Sequence, residues 1–464
     1  MRATVTYKNP ADLKLRSNNP RTHSKRQIEQ IAVSIKTFGF VNPVLIDGED
    51  RIIAGHGRVE AAKLIGMSDV PVIRVDHLTP AQIRAYVIAD NKLAENAGWD
   101  RELLALELRE LSVELNFDVT ITGFETAEID LFIQDLDQHK PDETDQVPEL
   151  NRTTPAISRP GDLWCIGNHR LLCGDALNKS DYAKLLGSTK AQMVFTDPPY
   201  NVAIAGNVSG LGKTKHREFA MASGEMSSDE FTKFLETAFA RLVEFSAGGS
   251  IHFICMDWRH LRELSDAGLK TYRELKNLCI WSKTNAGMGS LYRSAHELIF
   301  VFKNGSAPHI NNVELGRFGR NRTNVWTYAG QTSFGSDRSA ELAMHPTVKP
   351  VALIADAILD CSNRGGGILD GFAGSGSTLI AAEKTGRCGF GIELDPYYVD
   401  TIIRRFEAVY GISARLAGPD LDFAAVTQQR SQRKTNESKA KKDQSKPKTP
   451  RTKKQKGRRL LCSQ

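Results

Sequence analysis

Apolar positions fall into two different rhythms along the chain. Ile28, Ile31, Ala32 and Ile35 recur at helical spacing with Gly39 just beyond, which predicts a helix over 24–38. Short apolar runs at 43–46 and 51–54 flank Asp47-Gly48 and read as two strands joined by a turn. Gly55-His56-Gly57-Arg58 then opens a helix through Val59, Ala61, Ala62, Leu64 and Ile65. Leucines 103, 104, 106, 108, 111 and 115 give one helical stripe and residues 127–136 a second. From 137 to 160 the chain is polar and proline-bearing, has little to bury, and reads as a linker.

Beyond 160 the rhythm changes. Residues 161–175 read as two short strands about Gly167-Asn168, and Ala191 to Thr196 as a buried strand. Helix 228–245, strand 250–255, helix 259–267, strand 277–282 and hairpin-like 297–303 follow in alternation. Helix 351–359, strand 367–370, a glycine-rich loop, helix 379–384 and strand 388–392 continue it. Such alternation predicts an α/β unit built on a largely parallel sheet. Regular pattern fades between 304 and 344, where Arg317, Phe318, Arg320, Asn321, Arg322, Trp326, Tyr328 and Gln331 accumulate. That mixture suits phosphates and base edges.

Composition refines this outline. A length of 464 residues suggests two to four domains. No run of about 18 apolar residues appears and MRATVTYKNP lacks an apolar signal core, so a soluble cytoplasmic protein without membrane contact is expected. Seven scattered cysteines without a CxxC pair support neither a metal site nor a disulfide framework. The formal charge of +6 is unevenly spread: residues 430–459 hold 14 Lys and Arg against two acids, a local +12 that leaves the remainder at −6. The region 417–464 therefore reads as a basic, low-complexity tail, expected to be disordered, that adds a general attraction to nucleic acid or serves solubility alone.

The candidate chemistry centres on Asp197-Pro198-Pro199-Tyr200. Ligands bind outside the carboxyl ends of strands in open α/β sheets, and the two prolines stiffen the turn that follows the strand. Neither proline has an N–H, so the turn offers acceptors, the Asp197 carboxylate and the backbone carbonyls, beside the flat face of Tyr200. Acceptors next to a stacking ring suit a planar base carrying an exocyclic amine, presented once it is rotated out of a duplex. A second signal lies in Gly371-Phe372-Ala373-Gly374-Ser375-Gly376-Ser377-Thr378, between a strand ending at Asp370 and a helix. Glycines let backbone approach a ligand, and Glu393, 22 residues after Gly371, is placed to take both ribose hydroxyls. The loop lacks the third glycine of GxGxxG, which disfavours a dinucleotide dehydrogenase. The basic stretch 201–228 is suited to closing over a base or touching phosphate, and equally to an exposed loop.

DPPY resembles the catalytic motif of the DNA amino-methyltransferases, and with "DGFAGSGST", "GIELD" and "HPTVKP" downstream the order is that of their β group. The resemblance spans roughly 160–412. It implies a Rossmann-like S-adenosylmethionine-dependent methyltransferase domain over 161–416, with target recognition at about 304–344, acting on double-stranded DNA in a bacterial or phage restriction-modification setting. It implies that Asp197, Pro198, Pro199 and Tyr200 are catalytic. Asp370, Phe372, Gly374, Gly376, Thr378 and Glu393 would bind the cofactor, with His345, Thr347 and Lys349 at its methionine end and Asp175 near its adenine; on residue type alone, Asp175 reads better as a helix N-cap. The implied reaction is methylation of the exocyclic nitrogen of adenine. Cytosine is the nearest alternative, although that branch usually begins its motif with Ser.

The order of elements in 1–136 resembles the ParB N-terminal and sulfiredoxin-like fold, including a GxxR box at Gly55, His56, Gly57 and Arg58 and the later "AYVIADNKLAENAGWD". A smaller α+β domain ahead of the methyltransferase is thus expected. Glycines and Arg58 at a helix entrance suit a phosphate, and a structural tight turn explains them nearly as well. ParB proteins carry a second arginine where this chain has His56, so the resemblance leaves nucleotide binding, a DNA-facing role and scaffolding open. Two other readings remain: a ParB-like DNA-binding protein with a vestigial methyltransferase, and a bifunctional enzyme with a nuclease or nucleotide-driven clamp in front. The sequence does not decide whether the protein forms a homodimer.

Overall fold

The computed structural model describes residues 4–16, 18–115, 117–137, 143–148, 152, 154–202, 224–284, 291–313, 316, 320–329 and 348–432. The tail expected over 417–464 starts folded instead: Leu421–Asp422 pair with Ala414–Leu416, and Phe423 and Val426 are buried in the core, because this part of the stretch carries apolar residues to bury. Residues from 433 onward, the basic loop 203–223, and His345 and Thr347 lie outside the described residues.

Four strands form a first sheet: β1 (Val5–Lys8), β2 (Val44–Ile46), β3 (Ile52–Ala54) and β4 (Val70–Arg74), in the order β1-β4-β2-β3. β2 and β4 run parallel and the other pairs antiparallel. β1 is an exposed edge strand that the hydrophobic pattern does not predict, because it has no buried face to produce alternation. Helix Lys25–Phe38 begins where Ser24 accepts a hydrogen bond from the Gln27 N–H and ends at Gly39, whose φ of 81° closes the last turn. Leu13, Val44, Ile46, Ile52, Val59, Ala62, Val70 and Val72 make the buried core under this sheet.

Helices Arg101–Arg109 and Thr126–Asp137 pack together through Leu108, Val119, Ile129 and Ile133. The second helix also docks on the following unit through an acid. Asp130 is 2 % exposed, accepts two hydrogen bonds from Arg387 at 3.1 and 2.8 Å, and pairs with Arg364 at 3.0 Å. Stretch 137–160, expected to have little to bury, is pinned at its described positions. Asp145 accepts the Val351 N–H at 2.7 Å, Thr144 accepts from Arg405, and Asp400 accepts the N–H groups of Ile157 and Ser158.

An eleven-stranded sheet holds the rest. Its strands are β5 (Leu163–Ile166), β6 (His169–Cys173), β7 (Ala191–Thr196), β8 (Ser246–Met256), β9 (Glu274–Lys283), β10 (His296–Lys303), β11 (Val325–Tyr328), β12 (Gly367–Asp370), β13 (Cys388–Glu393), β14 (Ala414–Leu416) and β15 (Leu421–Asp422). The spatial order is β11-β9-β10-β8-β7-β12-β13-β6-β5-β14-β15. Five strands at the centre, β6-β13-β12-β7-β8, are parallel, in keeping with the alternation of elements in the sequence. From β7 the chain moves outward to β8; from β12 it moves outward the other way, to β13. The border between β7 and β12 is therefore the topological switch point, where such sheets bind ligands at their carboxyl ends. Helix Ser228–Glu244 covers one face, its entry fixed by a capping box between Ser227 and Glu230, and helix Val351–Cys361 packs into the core on the other.

The arginines of the 304–344 region correct an expectation. Their sequence context groups Arg320 and Arg322 with residues facing nucleic acid, but both turn inward. Arg320 donates to Asp360 at 2.7 and 3.1 Å, and Arg322 to Asp356 at 3.0 Å and Asp360 at 3.3 Å. Tyr328 donates to Asp356, and Trp326 is buried with its ring N–H on the Thr323 carbonyl. Asp360 is buried and Asp356 half-buried, both carboxylates need cations, and these arginines are the ones that reach them. Arg317, Phe318 and Gln331 lie outside the described residues.

Removing Asp130 would leave two buried guanidiniums short of their acid. Asp130→Ala is expected to destabilise the protein by about 3 kcal/mol or more, read as a lowered urea midpoint. An unchanged midpoint would mean that this contact carries no docking energy.

Candidate active site at the switch point

β7 ends in Thr196 and β12 in Asp370, and the two strands pair with Leu369 opposite Val194. One side chain fastens their ends together. Asp370, 4 % exposed, accepts the Thr196 hydroxyl at 2.8 Å and the Phe372 N–H at 3.0 Å on one oxygen, and the Thr378 hydroxyl at 2.6 Å on the other. The glycine-rich loop and the Asp197 turn are thus held side by side. Burial raises the Asp370 carboxyl to about 6 even though three donors favour its ionised form.

In the glycine loop, Gly374 and Gly376 take φ of 52° and 83°, and Gly376 packs against Ile402 so closely that a Cβ would clash. Helix Ser377–Lys384 starts directly behind it. Glu393 closes β13 and faces the loop, accepting the Gly374 N–H and the Asp395 N–H, each at 2.8 Å, on different oxygens. Burial raises its carboxyl to about 7. Gly174 donates its N–H to the Glu393 carbonyl, which brings the Gly174-Asp175 corner to the same place. Asp175 is not the N-cap that its residue type suggests. Asn178 caps helix Lys179–Leu186, while Asp175 accepts the Leu177 N–H and closes a local turn. The structure thus gathers Asp175, Asp370, Phe372, Gly374, Gly376, Thr378 and Glu393 around the ends of β6, β12 and β13.

On the other side of the switch point stands a buried charged cluster. Tyr200 donates to one oxygen of Asp197 at 2.6 Å, and Lys349 donates to the other at 2.6 Å. Lys349 also lies 2.9 Å from Glu297, whose second oxygen takes Lys283 at 2.5 Å. The Tyr200 hydroxyl is 3.1 Å from both Glu297 and Lys349. The Lys349 ammonium sits 5.4 Å above the Tyr200 ring and 5.9 Å from that of Trp281. The resemblance puts Lys349 at the methionine end of a cofactor; in the structure its ammonium donates to the carboxylate of the Asp197 turn. Burial pushes Asp197 upward against the pull of Lys349. Burial also opposes ionisation of Glu297, but Lys349 and Lys283 together overcome it and hold that carboxyl down at about 2.

Sequence reading misses Glu297. The available signal is a lone acid heading an otherwise apolar strand, His296–Lys303, whose middle is wholly buried. Asn201, directly after the motif, adds a positive φ of 53° and a staple. Its side chain accepts from the Gly224 and Met226 N–H groups and donates to the Met226 carbonyl at 2.8 Å, joining both sides of the 203–223 stretch.

The corner at Gly55-His56-Gly57-Arg58 is more enclosed than a surface anion site. Gly55 is left-handed at φ 103°, Arg58 folds back toward it and donates to the Pro43 carbonyl at 3.3 Å, and His56 is 9 % exposed. His56 Nε2 and Arg58 Nε are buried without a hydrogen-bond partner among the described residues.

Because the folded protein holds Glu393 protonated to about pH 7 while the unfolded chain titrates near 4.5, the folded form binds the extra proton between those values. Stability of the protein measured without cofactor is expected to fall as pH rises from about 4.5 to 7, and Glu393→Gln to flatten that decline. Denaturant titrations across this range decide it; identical slopes in both proteins would refute the assignment.

Comparison with known proteins finds three family matches along the chain. A DNA methylase family of the N6/N4 type matches residues 191–404, a ParB-methyltransferase HTH domain matches 102–160, and the ParB N-terminal domain matches 2–91. The ParB-like nuclease domain-containing protein YnaK of Escherichia coli is 49% identical over 78 residues, 17% of this chain and 90% of that protein. The type II methyltransferase M.HpaI of Haemophilus parainfluenzae is 26% identical over 263 residues, 52% of this chain and 76% of its own. The crystal structure of an M1.HpyAVI-SAM complex aligns at 21% identity with a TM-score of 0.38, over 51% of this chain and 97% of that one. With paired strand ends carrying an acceptor turn and a glycine loop, the chain carries in order a ParB N-terminal domain, a ParB-methyltransferase HTH domain and a DNA methylase domain of the N6/N4 type.

Proposed function

We propose that the protein methylates the exocyclic amino nitrogen of adenine in double-stranded DNA, using S-adenosylmethionine. The observation that carries this reading is the Thr196–Asp370 bond, which sets the amine-accepting turn beside the glycine loop at one switch point. The loop fits the cofactor. Glu393 spends one lone pair of each oxygen on a backbone N–H, so each retains another for a ribose hydroxyl. Positive φ at Gly374 and Gly376, with Gly376 against Ile402, lets the loop turn tightly ahead of the helix and leave its backbone open to a ligand.

When bound, S-adenosylmethionine would supply an already activated sulfonium methyl, held by Glu393 and the loop of Gly374 and Gly376 within reach of the amine. Asp197 and the Pro198 carbonyl accept the amine hydrogens and draw the nitrogen lone pair out of conjugation with the ring. Tyr200, its hydroxyl fixed on Asp197, presents its face to the extrahelical base. After transfer the surplus amine proton leaves to water. Catalysis on this reading is positioning, which accounts for a rigid turn and a fully engaged carboxylate. The aspartate that opens the motif favours adenine over cytosine.

Methyl transfer from labelled S-adenosylmethionine to mixed-sequence duplex DNA, with nucleoside analysis, is the direct test. Methyladenine is expected with the wild type, and a loss of about a hundredfold or more with Asp197→Ala. Methylcytosine as the product would replace the adenine assignment, and full activity in the variant would remove Asp197 from the reaction.

For the N-terminal unit, the two buried nitrogens of His56 and Arg58 at a helix entrance favour nucleotide phosphate as the ligand. Nucleoside triphosphates titrated onto the full chain are expected to bind, and Arg58→Ala to weaken that binding about tenfold or more. Equal affinity in both would leave the corner a structural turn.

A further inference from the structure

The charged cluster beside the Asp197 turn holds more than the proposed reaction requires. Two carboxylates and two ammoniums, Asp197, Glu297, Lys349 and Lys283, balance each other in a buried site. Yet methyl transfer to an amine, the reading on which any role for Glu297 rests, uses only one of them. Both oxygens of Asp197 already carry a protein donor, Lys349 on Oδ2 and Tyr200 on Oδ1. An amine approaching Oδ2 therefore competes with an ammonium, a stronger donor than itself.

Glu297 resolves the competition. Its Oε2 lies 2.9 Å from the same Lys349 nitrogen and 3.1 Å from the Tyr200 hydroxyl, while Oε1 is anchored by Lys283. Lys349 can thus surrender one hydrogen bond without becoming an unpaired buried cation. The Lys349 side chain is 4 % exposed, so water offers no such refuge. Glu297 comes from β10, antiparallel to β8, and is inserted beside the turn from a strand that lies outside the parallel core.

We propose that Glu297 is a positioning residue for methyl transfer: it keeps Lys349 and Tyr200 against Asp197 and retains the Lys349 ammonium when the amine hydrogen-bonds to Asp197 Oδ2. The groups facing Asp197 are Lys349, Tyr200 and Glu297 directly, with Lys283 behind Glu297 and Cys255 and Asp370 nearby. Glu297 is a like charge that disfavours ionised Asp197; Lys349 is the opposite charge that favours it.

The test compares Glu297→Gln and Lys349→Gln in the full chain. Methyl transfer to mixed-sequence duplex is followed against pH, and S-adenosylmethionine affinity is measured by calorimetry without DNA. With Glu297→Gln, kcat/KM for DNA is expected to fall about tenfold or more while cofactor affinity stays within about twofold. The acidic limb of the profile should move to lower pH, because a like charge beside Asp197 is gone. With Lys349→Gln the limb should move to higher pH. Opposite movements at unchanged cofactor affinity support the proposal, since a merely structural residue would move neither limb. Unmoved limbs, movement in one direction, or a loss of cofactor affinity matching the loss in kcat/KM overturns it. Should one variant fail to fold by circular dichroism, the other decides alone; failure of both makes the cluster a stability element and also overturns the proposal. A wild type that transfers no methyl to any DNA instead sinks the reading beneath it.

Discussion

Everything in the candidate site depends on one buried carboxylate at the meeting of two parallel strands. Asp370 ties the end of its own strand to Thr196 of the neighbour, to the Phe372 N–H of the glycine loop and to Thr378 at the head of the next helix. Parallel pairing alone brings β7 and β12 together, but it leaves the loops beyond them free to diverge. A side chain with two oxygens and three donors removes that freedom. The motifs are 174 residues apart along the chain at this contact, so the bond converts sequence distance into a fixed spacing between the Asp197 turn and the glycine-rich loop. Burying the carboxylate is costly, and its upward pKa shows that cost is not wholly cancelled by the donors.

The charged cluster opposite follows a different logic. Where Asp370 is satisfied by neutral donors, Asp197 is satisfied by a tyrosine and an ammonium, and the ammonium is shared with a second acid. Shared donors can be redistributed at small cost, whereas the neutral bonds around Asp370 hold one arrangement. A rigid frame on one side and a redistributable charge network on the other suit a reaction in which one ligand must be seated firmly and the other must enter and leave.

Much of this is legible in the chain. Strand 191–196, the proline turn, the glycine loop and Glu393 follow from apolar runs ended by residues of special geometry, and the structure places each where the pattern puts it. What is not legible depends on contacts between distant segments. The local signals at Glu297 and Lys283 do not disclose their role, because that role exists only when β9 and β10 are folded antiparallel against the parallel core. Arg320 and Arg322 mislead for the same reason: a basic side chain in an irregular stretch reads as exposed until its acids, Asp356 and Asp360, are seen on the facing helix. Asp175 reads as a cap one turn too early because a capping residue and an Asx turn have the same residue preference.

The docking of helix Thr126–Asp137 through Asp130 bears on where this protein can be divided. Arg364 and Arg387 belong by sequence to the methylase portion, yet the acid that neutralises them belongs to the segment matched by the ParB-methyltransferase HTH family. A fragment beginning at the first strand of the large sheet would inherit two desolvated cations and lose their counter-charge. The autonomous folding unit thus extends upstream of the enzyme's own sheet, and the two portions should melt as one cooperative block across this contact. Shuffling the front portion among relatives, by recombination or by engineering, would then succeed only where that acid travels with its arginines.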